Sequence, residues 1–241
     1  MKKEYWFILI AYIAMQLSSI VGVPIMMGVG FGLGWRGEEL QIKSGGYWIV
    51  ISFVITLLIV LLFLRNERKQ ELVREHQSSV STSVLWAIGG VFMAFFAQII
   101  AASIEKAIGI EPGSENTLRI MELIQSIPAV MIVSSIIGPI LEEIVFRKII
   151  FGALYKKMNF FFAALLSSVI FGFAHFEPIH IILYSAMGFT FAFLYVKTNR
   201  ILVPIIAHMT MNTIVVILQS YREEMEEFIK QAETAAFLLL F

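Results

Sequence analysis

Long, nearly unbroken apolar runs alternate with short polar stretches along this chain. A helix that crosses the hydrocarbon core needs about 20 mainly apolar residues at about 1.5 Å each. Seven stretches read as such spans: Tyr5 to Val29, Gly46 to Leu64, Val80 to Ile104, Ile127 to Tyr155, Phe160 to Phe176, Ile179 to Val196 and Ile201 to Gln219. The first opens with Met-Lys-Lys but is too long and lacks a small-residue cleavage site, so it reads as a retained helix and not a signal peptide. Leu118 to Tyr155 is too long for one upright span and carries Pro128 and Pro139, which predicts a short interfacial helix leading into a kinked span. The expectation is an all-α, polytopic transmembrane helical bundle of about seven spans, or eight with an interfacial tail. Three regions follow: residues 1–117 as an N-terminal three-helix membrane region, 118–220 as a catalytic core, and 221–241 as an amphipathic or interfacial tail.

Composition strengthens that reading and narrows the chemistry. The chain is 59% hydrophobic and 15% charged with a mean hydropathy of +0.83, far from the roughly quarter-charged make-up of a soluble domain. Eighteen basic residues balance eighteen acidic ones, so no basic field draws nucleic acid, and none is expected as a partner. Every acid is Glu, which excludes aspartyl proteases, Ser-His-Asp triads and aspartyl-phosphate intermediates. With no Cys there is no thiolate zinc site and no cysteine nucleophile. A formal G-x-G-x-x-G match at Gly32, Gly34 and Gly37 follows a membrane helix instead of a strand, so it reads as a loop.

Lys and Arg near the span ends set the orientation. With the N terminus inside, eleven fall on that face (Lys2, Lys3, Arg65, Arg68, Lys69, Arg74, Lys148, Lys156, Lys157, Lys197, Arg200) against six on the other (Arg36, Lys43, Lys106, Arg119, Arg222, Lys230), with Arg147 set aside as intramembrane. The expected location is an integral, multi-pass protein of a prokaryotic cell membrane with a cytoplasmic N terminus. The run Tyr221 to Lys230 predicts a short surface helix.

Charges in a span cost about 2.5 to 3.5 kcal/mol each on insertion scales and tend to mark function. The fourth span holds Glu142, Glu143 and Arg147 within six residues. On an α-helix Glu143 and Arg147 are four apart in the favourable order for an ion pair, which leaves Glu142 free for chemistry. The fifth span carries Phe171 and His175 on one face, and the seventh carries His208 and Asn212 on one face. A Glu beside a His in an apolar pocket can serve as general base toward water, and fixed donors such as His208 and Asn212 can hold an oxyanion. The alternative for Glu142, His175 and His208 is zinc or another divalent metal, although no H-E-x-x-H is present to favour it.

In this order on hydrophobic helices, Glu142-Glu143-x-x-x-Arg147, Phe171-x-x-x-His175 and His208-x-x-x-Asn212 resemble the CPBP family, the CAAX protease and bacteriocin-processing membrane proteins related to type II CAAX prenyl endopeptidases. The resemblance covers about Pro128 to Gln219, and no motif position departs from it. It implies an intramembrane endopeptidase acting on a peptide or protein substrate at the lipid bilayer. Carried over, Glu142 matches the catalytic glutamate, His175 the water-activating histidine, His208 and Asn212 the oxyanion pair, and Glu143, Arg147 and Phe171 supporting positions. The family has been labelled metalloprotease, while a metal-free glutamate mechanism is also argued for it; no cofactor is expected here.

Blander readings compete at several positions. The Glu143–Arg147 pair could lock the helix and do nothing else, and a lone buried His is more often a satisfied core residue than a catalyst. His76 reads as solvated in a basic loop, His180 as interfacial, Phe160 to Phe162 as lipid-facing, and Tyr184 and Tyr195 receive no role. A transporter, or a catalytically silent scaffold or sensor, would also bury such charges; inverted repeats would mark the first and a lost motif residue the second.

Overall fold

The computed structural model describes residues 1–65, 77–222, 228, 230 and 231. The surface helix expected at Tyr221 to Lys230 and the role of His76 lie essentially outside these residues. Nine helical elements order the described chain: α1 Lys3–Leu17, α2 Ser19–Gly32, α3 Gly37–Leu64, α4 Val80–Ala107, α5 Glu115–Ser126, α6 Ala129–Tyr155, α7 Phe160–Phe173, α8 Ile181–Thr198 and α9 Leu202–Ser220. No strand occurs among the described residues. The protein is an all-α membrane bundle.

Among the described residues five helices are each long and apolar enough to cross a membrane, and α1 with α2, bent by 49°, pass the same test only together. The bend lies at Ser18, whose hydroxyl donates to the Met15 carbonyl at 2.7 Å and so competes with the helix ladder. The seventh apolar element, α7, has 14 residues. At about 21 Å it falls short of the roughly 30 Å core, so the expected span to Phe176 is not a complete helix. Its start is fixed by Asn159, whose Oδ1 accepts from the Phe162 amide at 3.2 Å. Its end comes where Phe176 turns left-handed at φ +56°, a conformation that costs an ordinary residue about 1–2 kcal/mol. Non-helical backbone at membrane depth is tolerated only where protein buries it or a cavity receives it.

The centre of the bundle is α6, where 61% of the apolar window is buried against 11% in α3. As expected, the amphipathic α5 precedes it across Pro128. Its irregularity, however, is wider than a proline kink: Val133–Ile137 and Glu143–Phe151 wind as π-helix, with main-chain bonds from i to i+5. Leu141, Ile144, Val145, Phe146 and Ile149 are buried against α7, α8 and α9 in one core cluster. Of the aromatic run, Phe161 and Phe162 do face outward, whereas Phe160 packs on Phe151, Tyr155 and Phe189.

Small residues let the outer helices close on each other. A Cβ added at Gly188 of α8 would stand 2.9 Å from Ser168 Cβ and 3.1 Å from Ser168 Cα on α7. Alanine there would recover up to about 1 kcal/mol of helix propensity, while overpacking costs about 1–3 kcal/mol. Gly188→Val adds two further methyls without a matching gain. It should lower the thermal unfolding midpoint in detergent, and an unchanged midpoint would mean that the seam is looser than these distances.

Candidate active site

Four helices deliver polar groups to the middle of the bundle. Arg147 on α6 has no exposed surface, and neither does Glu143. Their charges meet at 3.2 Å between Nε and Glu143 Oε2, so the predicted ion pair forms. The contact is Coulombic and not a well-aligned hydrogen bond, because neither atom has a partner of hydrogen-bonding geometry among the described residues. Aromatic faces complete the guanidinium's surroundings: its carbon lies 4.6 Å from the Phe171 ring centroid on α7 and 5.9 Å from that of Phe191 on α8. Phe171, read as a supporting position, is therefore a wall of the Arg147 site.

Glu143 also reaches α9. Its Oε1 accepts from His208 Nδ1 at 2.9 Å, and His208 stacks on Phe191 with centroids 4.6 Å apart. The opposite ring nitrogen, Nε2, lies 3.7 Å from Glu142 Oε2. His208 thus stands between two adjacent carboxylates, an arrangement that α-helical spacing does not suggest, since it sends Glu142 and Glu143 about 100° apart. Glu142 closes an α-helical turn and Glu143 opens the π-helical stretch. Glu142 keeps 19% of its side chain exposed while Glu143 keeps none, so of the two only Glu142 has accessible surface.

His175 sits in the turn just beyond α7 and not within the helix. Its Nδ1 bonds the Phe171 carbonyl at 2.9 Å, and the rings of the two residues meet edge to face at 4.5 Å. A carbonyl only accepts, so Nδ1 carries the proton and the neutral ring presents Nε2 as an acceptor. His175 and Glu142 share no direct hydrogen bond among the described residues, but they lie within electrostatic reach of one another. Asn212, one helical turn from His208, donates from Nδ2 to the Ser134 carbonyl at 3.2 Å, tying α9 to the first π-helical stretch. The amide's second N–H remains for another acceptor.

Several participants carried no sequence signal. Tyr184 of α8 stacks on His175, with centroids 4.0 Å apart and planes 22° from parallel. Tyr12 of α1 meets Phe146 edge-on at 5.7 Å and lies within electrostatic reach of Glu142. His180, expected at the interface, is buried, with Nδ1 2.8 Å from Glu105 Oε2. Glu105 also accepts from the Leu183 amide at 3.0 Å, capping α8 from the last turn of α4. Glu177 does the same for α5, accepting from the Glu115 amide and the Ser114 hydroxyl at 2.8 Å each. Burial raises the Glu177 carboxyl, but bonds from Tyr184, Ser114 and the Glu115 and Asn116 amides outweigh it and hold the group below the usual carboxylate range.

Comparison with known proteins bears directly on this cluster. The family described as Type II CAAX prenyl endopeptidase Rce1-like matches residues 124–214, the stretch that carries all three motifs. The candidate membrane peptidase YdiL of Bacillus subtilis (strain 168) is 51% identical over 241 residues, covering 100% of this chain and 98% of the relative. The chain belongs to the CPBP family of intramembrane proteases. The membrane-embedded CAAX protease MroQ of Staphylococcus aureus (strain USA300) is 34% identical over 244 residues, with 97% of this protease and 96% of the relative covered. No solved structure matches the protease significantly.

Removing one member of a buried ion pair strands the other and costs about 3 to 5 kcal/mol. Arg147→Ala should accordingly lower the unfolding midpoint of the protease in detergent, with Glu143→Gln damaging it in the same direction. A double variant less destabilised than either single one is the expected signature of coupling. Unchanged midpoints in both single variants would contradict it.

Proposed function

We propose that the protein is a glutamate-dependent intramembrane endopeptidase that uses Glu142 as general base and cuts membrane-associated peptides of the CAAX prenyl type. The carrying observation is the reach of Glu142: of the two carboxylates flanking His208, it alone keeps exposed surface. Glu142 takes a proton from water as the oxygen adds to the scissile carbonyl. His175, with Nδ1 committed to the Phe171 carbonyl, offers Nε2 to orient that water. The oxyanion is received by the second N–H of Asn212 and, in the imidazolium form, by His208 Nε2–H. As the C–N bond breaks, the proton held by Glu142 passes to the leaving amine, which returns the carboxylate and balances the step. Glu143 and Arg147 hold His208 in place.

The substrate class rests on the family description and on the name of the Staphylococcus aureus relative. The excess of Lys and Arg on one face supports a cytoplasmic N terminus in a prokaryotic cell membrane. A metal-free mechanism is supported by the donor set. His208 is accompanied by Asn212, an amide that is a hydrogen-bond donor and a poor zinc ligand.

The test is cleavage by the purified protein in liposomes of internally quenched peptides with and without an S-farnesyl cysteine near the C terminus, with the cut identified by mass. Glu142→Gln should lose at least about 100-fold in rate, the lower end of a general-base contribution. Near-normal cleavage by that variant in a folded preparation would remove Glu142 from the role. Asn212→Ala should lose roughly 100- to 1,000-fold in kcat, the usual cost of an oxyanion donor, with KM little changed. Elemental analysis should find no stoichiometric metal; one zinc per chain, with activity lost to a chelator and restored by zinc, would replace the metal-free mechanism.

A further inference from the structure

The imidazole of His175 is held in a way that its own hydrogen bond does not explain. Because the residue lies past the end of α7, the helix does not fix its side chain. The bond from Nδ1 to the Phe171 carbonyl locates one ring atom and leaves the ring free to swing about that atom. Phe171 meets it edge to face. The plane is set by Tyr184, face to face at 4.0 Å. Tyr184 is itself braced: its hydroxyl donates to Glu177 Oε2 at 2.7 Å and lies 3.4 Å from Ser114 Oγ, so the phenol cannot tilt away without breaking the bond that anchors its far end. Glu177 is braced in turn by the Ser114 hydroxyl and Glu115 amide at the start of α5.

We propose that Tyr184 is a positioning residue for this protease, fixing the plane of the His175 imidazole so that Nε2 points at the water beside Glu142. The inference rests on the reading of His175 as the water-orienting residue and adds to it a dependence on α8. Orientation is expensive to lose: a misplacement of about 1 Å can cost on the order of 100-fold in rate. The aromatic face carries the effect, and the hydroxyl refines it.

Two readouts test this. The protein has four histidines, few enough for their Cε1–H resonances to be resolved after selective labelling and assigned by substitution. The stacked ring of Tyr184 should displace the His175 resonance upfield; Tyr184→Phe should keep it there, and Tyr184→Leu and Tyr184→Met should return it toward the value of an unstacked imidazole. In kinetics on the S-farnesyl quenched peptide, Tyr184→Leu should lower kcat by roughly 10- to 100-fold with KM within about twofold, and Tyr184→Phe should recover most of that loss. A His175→Ala control separates the two levels of argument. If it retains turnover, the role of His175 falls and the proposal with it. If it is inactive while Tyr184→Leu keeps a wild-type kcat, only the positioning role falls. Equal damage in Tyr184→Phe and Tyr184→Leu, an unmoved His175 resonance, or loss of fold in both the Leu and Met variants would likewise overturn it in favour of a purely structural tyrosine.

Discussion

A guanidinium with no exposed surface, inside a bundle that crosses a bilayer, is the constraint around which this protein is organised. Arg147 cannot shed its charge, and stranding it would cost several kcal/mol. Its compensation comes from three elements at once: Glu143 from its own helix, the face of Phe171 from α7 and that of Phe191 from α8. Glu143 passes the tie on to His208, and so to α9. The helices that meet at the candidate site are thus the helices that Arg147 requires to be there. That also explains why the pair is not decorative even though a buried ion pair adds little net stability by itself: its value lies in which helices it makes inseparable.

Around that knot the backbone departs from α geometry where buried charged side chains are densest. The π-helical stretch from Glu143 to Phe151 carries Glu143 and Arg147, and the earlier one at Val133–Ile137 presents the Ser134 carbonyl to Asn212. The turn after Phe173 does the corresponding work for His175, releasing it from the helix so that it can be gripped by groups from two elements.

What could be read from residue order was whatever depended on local spacing. The bundle, the short helix before the central span, and the Glu143–Arg147 pair follow from apolar run length, from Pro128, and from a four-residue interval. His208 beside Glu143 did not follow, because the two lie on different helices 65 residues apart in the chain. The early end of α7 was hidden by composition: residues 160–176 are apolar almost throughout, and run length does not distinguish a helix from a buried turn. Tyr184 and His180 were passed over for a different reason. Glu105 is 75 residues from His180 and Ser114 is 70 from Tyr184, separations at which no pattern along the chain carries information.

That long separation bears on how the protein is made. Glu105 leaves the ribosome 75 residues ahead of His180 and 78 ahead of Leu183, its two partners. At about 5–20 residues per second, translation leaves the carboxylate unanswered for about 4 to 15 s. Glu105 lies in the last turn of α4, and a carboxylate there needs water or another polar group until the later helix arrives. Closure of this end of the bundle is therefore a late event in biogenesis, and a truncation before Pro178 would yield an inserted chain whose fourth helix still lacks its seal.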